Sequence, residues 1–160
     1  LINSKKTIIK IWNEWGKLFG RQYKPVETYK TKGAETMILT MGSMGETASV
    51  AVDELRKAGQ AIGLVKLRLW RPFPLEELRA AIKGCKTLIV MDRALSFGGA
   101  GGPMATEIKS LLFHDPERPR IVDFLMGLGG RDVAVGDFIQ MVERAGKKKD
   151  DSYEFYGVRE

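Results

Sequence analysis

Cysteine and histidine are nearly missing: the 160 residues hold one of each, Cys85 and His114. That scarcity excludes an internal disulfide, a cysteine-ligated Fe–S cluster, a cysteine-based zinc centre and a histidine-rich metal site. Cys85 follows a short helical pattern beside Lys86, with no base near it in sequence, and reads as a half-buried small residue rather than a nucleophile. His114 lies in the polar stretch FHDPERP, which reads as a solvated loop and argues against a Ser-His-Asp triad. Long apolar runs are missing as well, since nothing approaches the ~20 residues needed to cross a bilayer. Lys5, Lys6 and Lys10 break up the first apolar residues, so no signal peptide is expected and a cytoplasmic location is.

What is present is ordinary for a globular protein: 44% apolar and 29% charged residues. That composition excludes wholesale disorder, collagen and membrane classes. The length fits one domain plus a tail, and a chain of ~150 residues buries roughly 70% of its unfolded surface. The net charge of +6 is unevenly placed. Residues 1–33 carry Lys5, Lys6, Lys10, Lys17, Arg21, Lys24, Lys30 and Lys32 against Glu14 and Glu27, whereas residues 34–160 are balanced. A nucleic-acid domain spreads a basic stripe over its folded face. Here the basic segment is expected to pack on, or link to, an acidic neighbour, with neither nucleic acid nor membrane as partner.

Hydrophobic periodicity predicts four strand–helix units. Strands are expected at 36–41, 62–70, 87–91 and 121–126. Helices are expected at 46–58, with Ala48, Ala51, Val52 and Leu55 inward and Gly59 as C-cap, and over Leu75, Leu78 and Ile82. Two more follow at 104–112, with Met104, Ile108, Leu111 and Leu112 inward, and at 135–145, with Phe138, Ile139 and Val142 inward. The run TLIVM is wholly apolar, as in a strand covered on both faces of a parallel sheet. Short loops between such units signal an open α/β sheet with helices on both faces and right-handed crossovers. Residues 7–19 form an amphipathic helix suited to docking on another surface, and 23–36 read as an extended linker. The boundaries expected are a leading helix and linker over 1–33, an α/β core over 34–146 and a charged tail over 147–160.

In an open parallel sheet, ligands meet the loops at the carboxyl ends of the strands. Those loops are Gly42-Ser43-Met44-Gly45-Glu46, Arg71-Pro72-Phe73-Pro74, Asp92-Arg93 running into FGGAGGP, and Gly127-Leu128-Gly129-Gly130-Arg131-Asp132. Gly42 and Gly45 flank a helix start that would suit an anion, yet no G-x-G-x-x-G and no Walker lysine is present. Their glycines are therefore read as permitting tight turns. Asp92 and Arg93 at the end of a buried strand imply either structural pairing or contact with a ligand or partner, and Arg131 with Asp132 repeats the pattern. The seven methionines read as core filler. No metal site, nucleophile–base pair or complete cofactor motif is visible, so the chain reads as part of something larger.

The segments MGSMGETASVAVDELRKAGQAIGLVKLRLWRPFP, DRALSFGGAGGP and GLGGRD, in that order, resemble core domain II of the 2-oxoacid:ferredoxin oxidoreductases, most closely the alpha subunit of the pyruvate:ferredoxin type. The stretch FGRQYKPVETY resembles the linker that precedes that domain, and the likeness covers about residues 19–141. The resemblance implies a three-layer α/β/α sandwich like the transketolase C-terminal domain. Its sheet would be mostly parallel with five strands, one of them antiparallel, for which residues 153–158 are a candidate.

The resemblance further implies a complete enzyme that oxidatively decarboxylates a 2-oxoacid, joins the acyl unit to coenzyme A and reduces ferredoxin. Thiamine diphosphate, magnesium and Fe–S clusters would serve it from elsewhere, since the GDG…N motif and cluster cysteines are absent here. Within it the chain would be a C-terminal piece of the alpha subunit, inactive alone, bracing catalytic domains, contacting other subunits and walling a coenzyme A channel. Gly42, Ser43, Met44, Arg71, Asp92, Arg93, Gly129, Gly130 and Arg131 are the expected contact edge. A free-standing α/β domain binding a nucleotide or coenzyme A is the competing expectation.

Overall fold

The structure is a computed structural model that describes residues 1, 3–150 and 152–159. A leading helix α1 (Ser4–Phe19) precedes a six-stranded sheet built from β1 (Val26–Tyr29), β2 (Thr36–Met41), β3 (Ile62–Leu67), β4 (Thr87–Asp92), β5 (Arg120–Leu125) and β6 (Glu154–Phe155). Four helices connect the strands or follow them: α2 (Met44–Lys57), α3 (Leu75–Ala81), α4 (Pro103–Leu111) and α5 (Val135–Lys147). The strand order is β1-β3-β2-β4-β5-β6, with every pairing parallel except β1 against β3.

Period-2 alternation sends successive side chains of a strand to opposite faces. Ile38, Leu64, Ile89, Met91, Val122 and Phe124 therefore pack on α2 and α5, through Ala48, Ala51, Val52, Leu55, Phe138, Met141 and Ala145. Met37, Leu39, Val65, Leu67, Leu88, Val90 and Ile121 pack on the other face with Leu78, Met104, Ala105 and Ile108 of α3 and α4. The result is three layers, α2 and α5, then the sheet, then α3 and α4. Six methionines, Met37, Met44, Met91, Met104, Met126 and Met141, are buried in these two cores.

The ends of α2 show why it starts and stops where it does. Gly42 turns the chain at φ +74, and the Gly45 N–H donates to its carbonyl at 3.2 Å. At the far end Gly59 adopts φ +83, its N–H donating to Arg56 O at 3.0 Å while the Gln60 N–H reaches Leu55 O at 2.9 Å. This is the Schellman arrangement that a C-terminal glycine permits.

Two stretches differ from the sequence expectation. Residues 23–36, expected as a linker, contain β1, the one antiparallel strand, in register Val26↔Leu67 to Tyr29↔Leu64. The Arg68 guanidinium holds it through Glu27 at 3.0 Å. Residues 153–158, the candidate for that antiparallel strand, contribute β6 instead, and it runs parallel to β5. The sheet therefore has six strands rather than five, because both edges recruit short polar segments that carry no apolar run.

Candidate functional site at the strand switch point

The chain leaves β2 for β3 on one side and later reaches β4 and β5 on the other, so the topological switch lies between β2 and β4. At such a point the carboxyl-end loops diverge and leave a crevice. In this molecule Ser43, Met44 and Thr47 from the start of α2, Arg93 after β4, and Arg131, Asp132 and Val133 after β5 line a cleft of about 180 Å³. Four of the expected residues, Ser43, Met44, Arg93 and Arg131, thus converge from three loops.

Both arginines are held by backbone carbonyls rather than by carboxylates. Arg93 Nη2 donates to Gly127 O at 3.2 Å and to Arg131 O at 3.5 Å. Arg131 Nη1 donates to Leu128 O at 2.9 Å within a short 3₁₀ turn, Leu128–Gly130. Neither takes part in a salt bridge among the described residues, which leaves two guanidinium groups on one exposed rim. Gly129 and Gly130 adopt φ +66 and +78, so they shape the turn that delivers Arg131 and do not line the cleft themselves. Gly42 acts likewise for Ser43 and Met44.

Asp92 and Arg71 belong elsewhere. Adjacent residues of a strand end point to opposite faces, so Asp92 faces α4 while Arg93 reaches toward Gly127, and the two do not pair. The Asp92 carboxylate is buried and accepts the backbone N–H groups of Met104 at 3.1 Å and Ala105 at 3.0 Å. It thereby caps the first turn of α4 from the neighbouring strand, a place where negative charge is favoured. Burial nevertheless pushes its pKa up to about 6, opposed by those two N–H groups and assisted by the nearby charge of Asp123. Arg71 forms a two-pronged pair with Glu107 of α4 at 2.9 and 2.8 Å, and Trp70 Nε1 joins it at 2.6 Å. That cluster ties the loop after β3 to α4 on the face opposite α2.

Asp123 was missed by sequence reasoning, although an acid inside the apolar run IVDFLM was a signal. It is buried on β5, with Oδ2 accepting the Gly102 N–H at 2.8 Å and Oδ1 unpartnered among the described residues. Burial raises its pKa as well. The two carboxylates account for the glycine-rich loop, because a Cβ on Gly102 would overlap Asp92 and one on Gly101, at φ +149, would overlap Asp123. These glycines allow close backbone approach to side chains, not to phosphates.

Cys85 is buried with its thiol donating to Thr87 O at 3.1 Å, and burial lifts its pKa to about 11, which keeps it protonated and unreactive. His114 is exposed in the turn after α4. No group of three or more His, Cys, Asp or Glu side chains among the described residues is arranged to hold a metal ion. No helix among them is long and apolar enough to cross a membrane.

Residues 34–138 match the family described as pyruvate:ferredoxin oxidoreductase core domain II. The chain belongs to that family. It is 38% identical over 160 residues to the pyruvate synthase subunit PorA of Thermotoga maritima, covering 99% of this chain and 41% of that one. Against PorA of Pyrococcus furiosus it is 37% identical over 144 residues, covering 90% and 36%. The ketoisovalerate oxidoreductase subunit VorA of Pyrococcus horikoshii is similarly close, at 39% over 162 residues with 98% and 41% covered. The chain thus spans about two fifths of the length of these relatives.

Among solved structures, the 2-oxoglutarate:ferredoxin oxidoreductase of Magnetococcus marinus shares the fold of this family member with a TM-score of 0.55. The two are 20% identical, over 90% of this chain and 23% of that one. A split-gene transketolase shares the fold with a TM-score of 0.58 and 17% identity, over 79% and 44%. The α/β architecture of the core domain II family is therefore also that of a transketolase domain.

Proposed function

We propose that this chain serves as a non-catalytic lobe of a 2-oxoacid:ferredoxin oxidoreductase alpha subunit. The complete enzyme would decarboxylate pyruvate oxidatively, transfer the acyl unit to coenzyme A and pass two electrons to ferredoxin. The lobe would brace the catalytic domains with its strand-end edge and wall the path taken by coenzyme A. The observation that carries this reading is the switch-point cleft, where Arg93 and Arg131 present two guanidinium groups with no carboxylate partner among the described residues. Such groups suit contact with an acidic neighbour or an anionic ligand.

The comparable likeness to pyruvate and ketoisovalerate enzyme subunits supports placing the choice of 2-oxoacid outside this lobe. Its residues do not fit the redox and carbanion-stabilising groups of such an enzyme. An Fe–S cluster needs several thiolates, and Cys85 is single and buried. The thiamine diphosphate motif GDG…N does not occur in the sequence.

The test is the Arg93→Ala, Arg131→Ala double variant in the complete oxidoreductase. Loss of charge-assisted contacts should weaken subunit assembly or raise the KM for coenzyme A by about tenfold. Unchanged assembly together with unchanged coenzyme A affinity would remove the cleft from the working edge. Thermal shift of the 160-residue chain with coenzyme A, NAD and ATP separates the free-standing alternative. A ligand that binds only the folded state raises Tm through RT ln(1 + [L]/Kd), so a large shift at sub-millimolar ligand would establish an autonomous binding domain.

A further inference from the structure

The loops after β4 and β5 set two positive side chains together with no negative group bound to either. Arg93 Nη2 reaches the backbone oxygen of Arg131 at 3.5 Å, so the fold itself makes the two residues neighbours. Both line the same cleft of about 180 Å³. Like charges held close repel one another, the more so where the surroundings are less polar than water. A guanidinium carries five N–H donors in a planar fork. The backbone carbonyls occupy Nη2 of Arg93 and Nη1 of Arg131, which leaves the other two nitrogens of each fork without a partner among the described residues.

The opposite wall adds hydroxyl donors. Ser43 stands at the start of α2, yet its side chain makes no capping hydrogen bond there. Thr47 lies one helical turn further on and lines the cleft with it. Met44 and the half-buried Val133 supply an apolar portion of the lining. Asp132 also lines the cleft, exposed, and forms no ion pair among the described residues.

We propose that this cleft binds the phosphate of a small organic phosphomonoester, clamped between Arg93 and Arg131. This rests on the cleft being the working edge of the lobe, as proposed above, and names the chemistry of what it holds. A phosphomonoester carries about −1.5 to −2 near neutral pH and presents three acceptor oxygens. It neutralises both guanidinium groups at once, and its third oxygen takes a hydroxyl of Ser43 or Thr47. An Asp or Glu side chain, from the rest of the same subunit or from another one, brings a single charge and two oxygens, and leaves one arginine unpaired beside the other. Arginine forks match phosphate oxygens in geometry as well as charge. Met44 and Val133 then face the organic part of the ester, and Asp132 accepts from a hydroxyl on it rather than meeting the anion.

Phenylglyoxal, which modifies accessible arginine side chains, tests this in the complete oxidoreductase, with each modified site identified by peptide mass spectrometry. Phenyl phosphate is the probe and glutarate the carboxylate control, at equal concentration and ionic strength. Arg93 and Arg131 should react in the free enzyme, and phenyl phosphate should slow both roughly tenfold while glutarate leaves them nearly unchanged. In the Arg131→Ala variant, the phenyl phosphate concentration that half-protects Arg93 should rise roughly tenfold, because half of the clamp is gone. Arginines that are inert in the free enzyme would show the cleft filled by the rest of the subunit or by another subunit, and would overturn the proposal. Equal protection by glutarate would assign the cleft to carboxylates and overturn it too, as would no protection by either compound or protection unaltered in the variant. If phenyl phosphate fails while the Arg93→Ala, Arg131→Ala double variant still weakens assembly, the phosphate assignment falls and the working edge stands. Protection alongside unchanged assembly and unchanged coenzyme A affinity would instead remove the working edge and leave a phosphate site.

Discussion

Asp92 and Asp123 sit on neighbouring strands beneath the first turn of α4, each accepting backbone N–H groups and each desolvated. For Asp92 burial outweighs the N–H groups, so its folded pKa of about 6 lies above the ordinary value of 3.8. The folded state therefore holds the proton more tightly than the unfolded chain, and stability falls as pH rises through this window before levelling off. Across roughly two pH units this amounts to about 3 kcal/mol at most. Comparing the parent with Asp92→Asn by urea unfolding between pH 4 and 7 should show the parent losing stability relative to the variant as pH rises. A constant difference would mean that Asp92 titrates normally. The sequence revealed that a charge ended a buried strand, but not its partner. Arg93 was the neighbour in sequence, whereas the alternating pleat gave Asp92 to the amides of Met104 and Ala105.

The elements with continuous apolar runs, β2 to β5 and the four helices around them, were legible because each needs burial on its own account. β1 was not, since the stretch VETY offers a single buried residue, Val26, and is a strand only by virtue of pairing with β3. Replacing Val26 with Asp should detach that edge, because an unpaired charge would replace a packed side chain. The expected cost is about 2–3 kcal/mol, read as a lower denaturant midpoint together with faster hydrogen exchange of the β3 amides that face β1. A change within ~0.5 kcal/mol, the range of ordinary surface substitutions, would show that β1 contributes little to the sheet. The strand expected at 153–158 was given the wrong direction for the same reason: Glu154 and Phe155 acquire structure only against Phe124 and Leu125.

At the scale of the whole molecule, both cores share one sheet, so the layers on its two faces cannot come apart separately. A single cooperative unfolding transition is expected, with coincident midpoints by circular dichroism and fluorescence of the buried body. The helix α1 should stand outside that unit, its amides exchanging far faster than those of β2 and β4 in the isolated chain. Protection of α1 equal to that of the central strands would contradict its lack of buried residues. The candidate site is likewise a product of the whole, since no single loop contains it. Ser43, Arg93 and Arg131 were legible one by one as strand-end residues, and Arg71 was equally eligible until Glu107 claimed it.

Periodicity and glycine placement determined by themselves that this would be a mostly parallel α/β layer structure. Local apolar patterns suffice for that, because each core segment must hide the same side chains wherever it packs. Strand order, the edge strands, the partner of Asp92 and the meeting of two arginines at the switch point were decided only by tertiary structure. Those features depend on which distant residues the sheet brings side by side, and spacing along the chain does not encode that proximity.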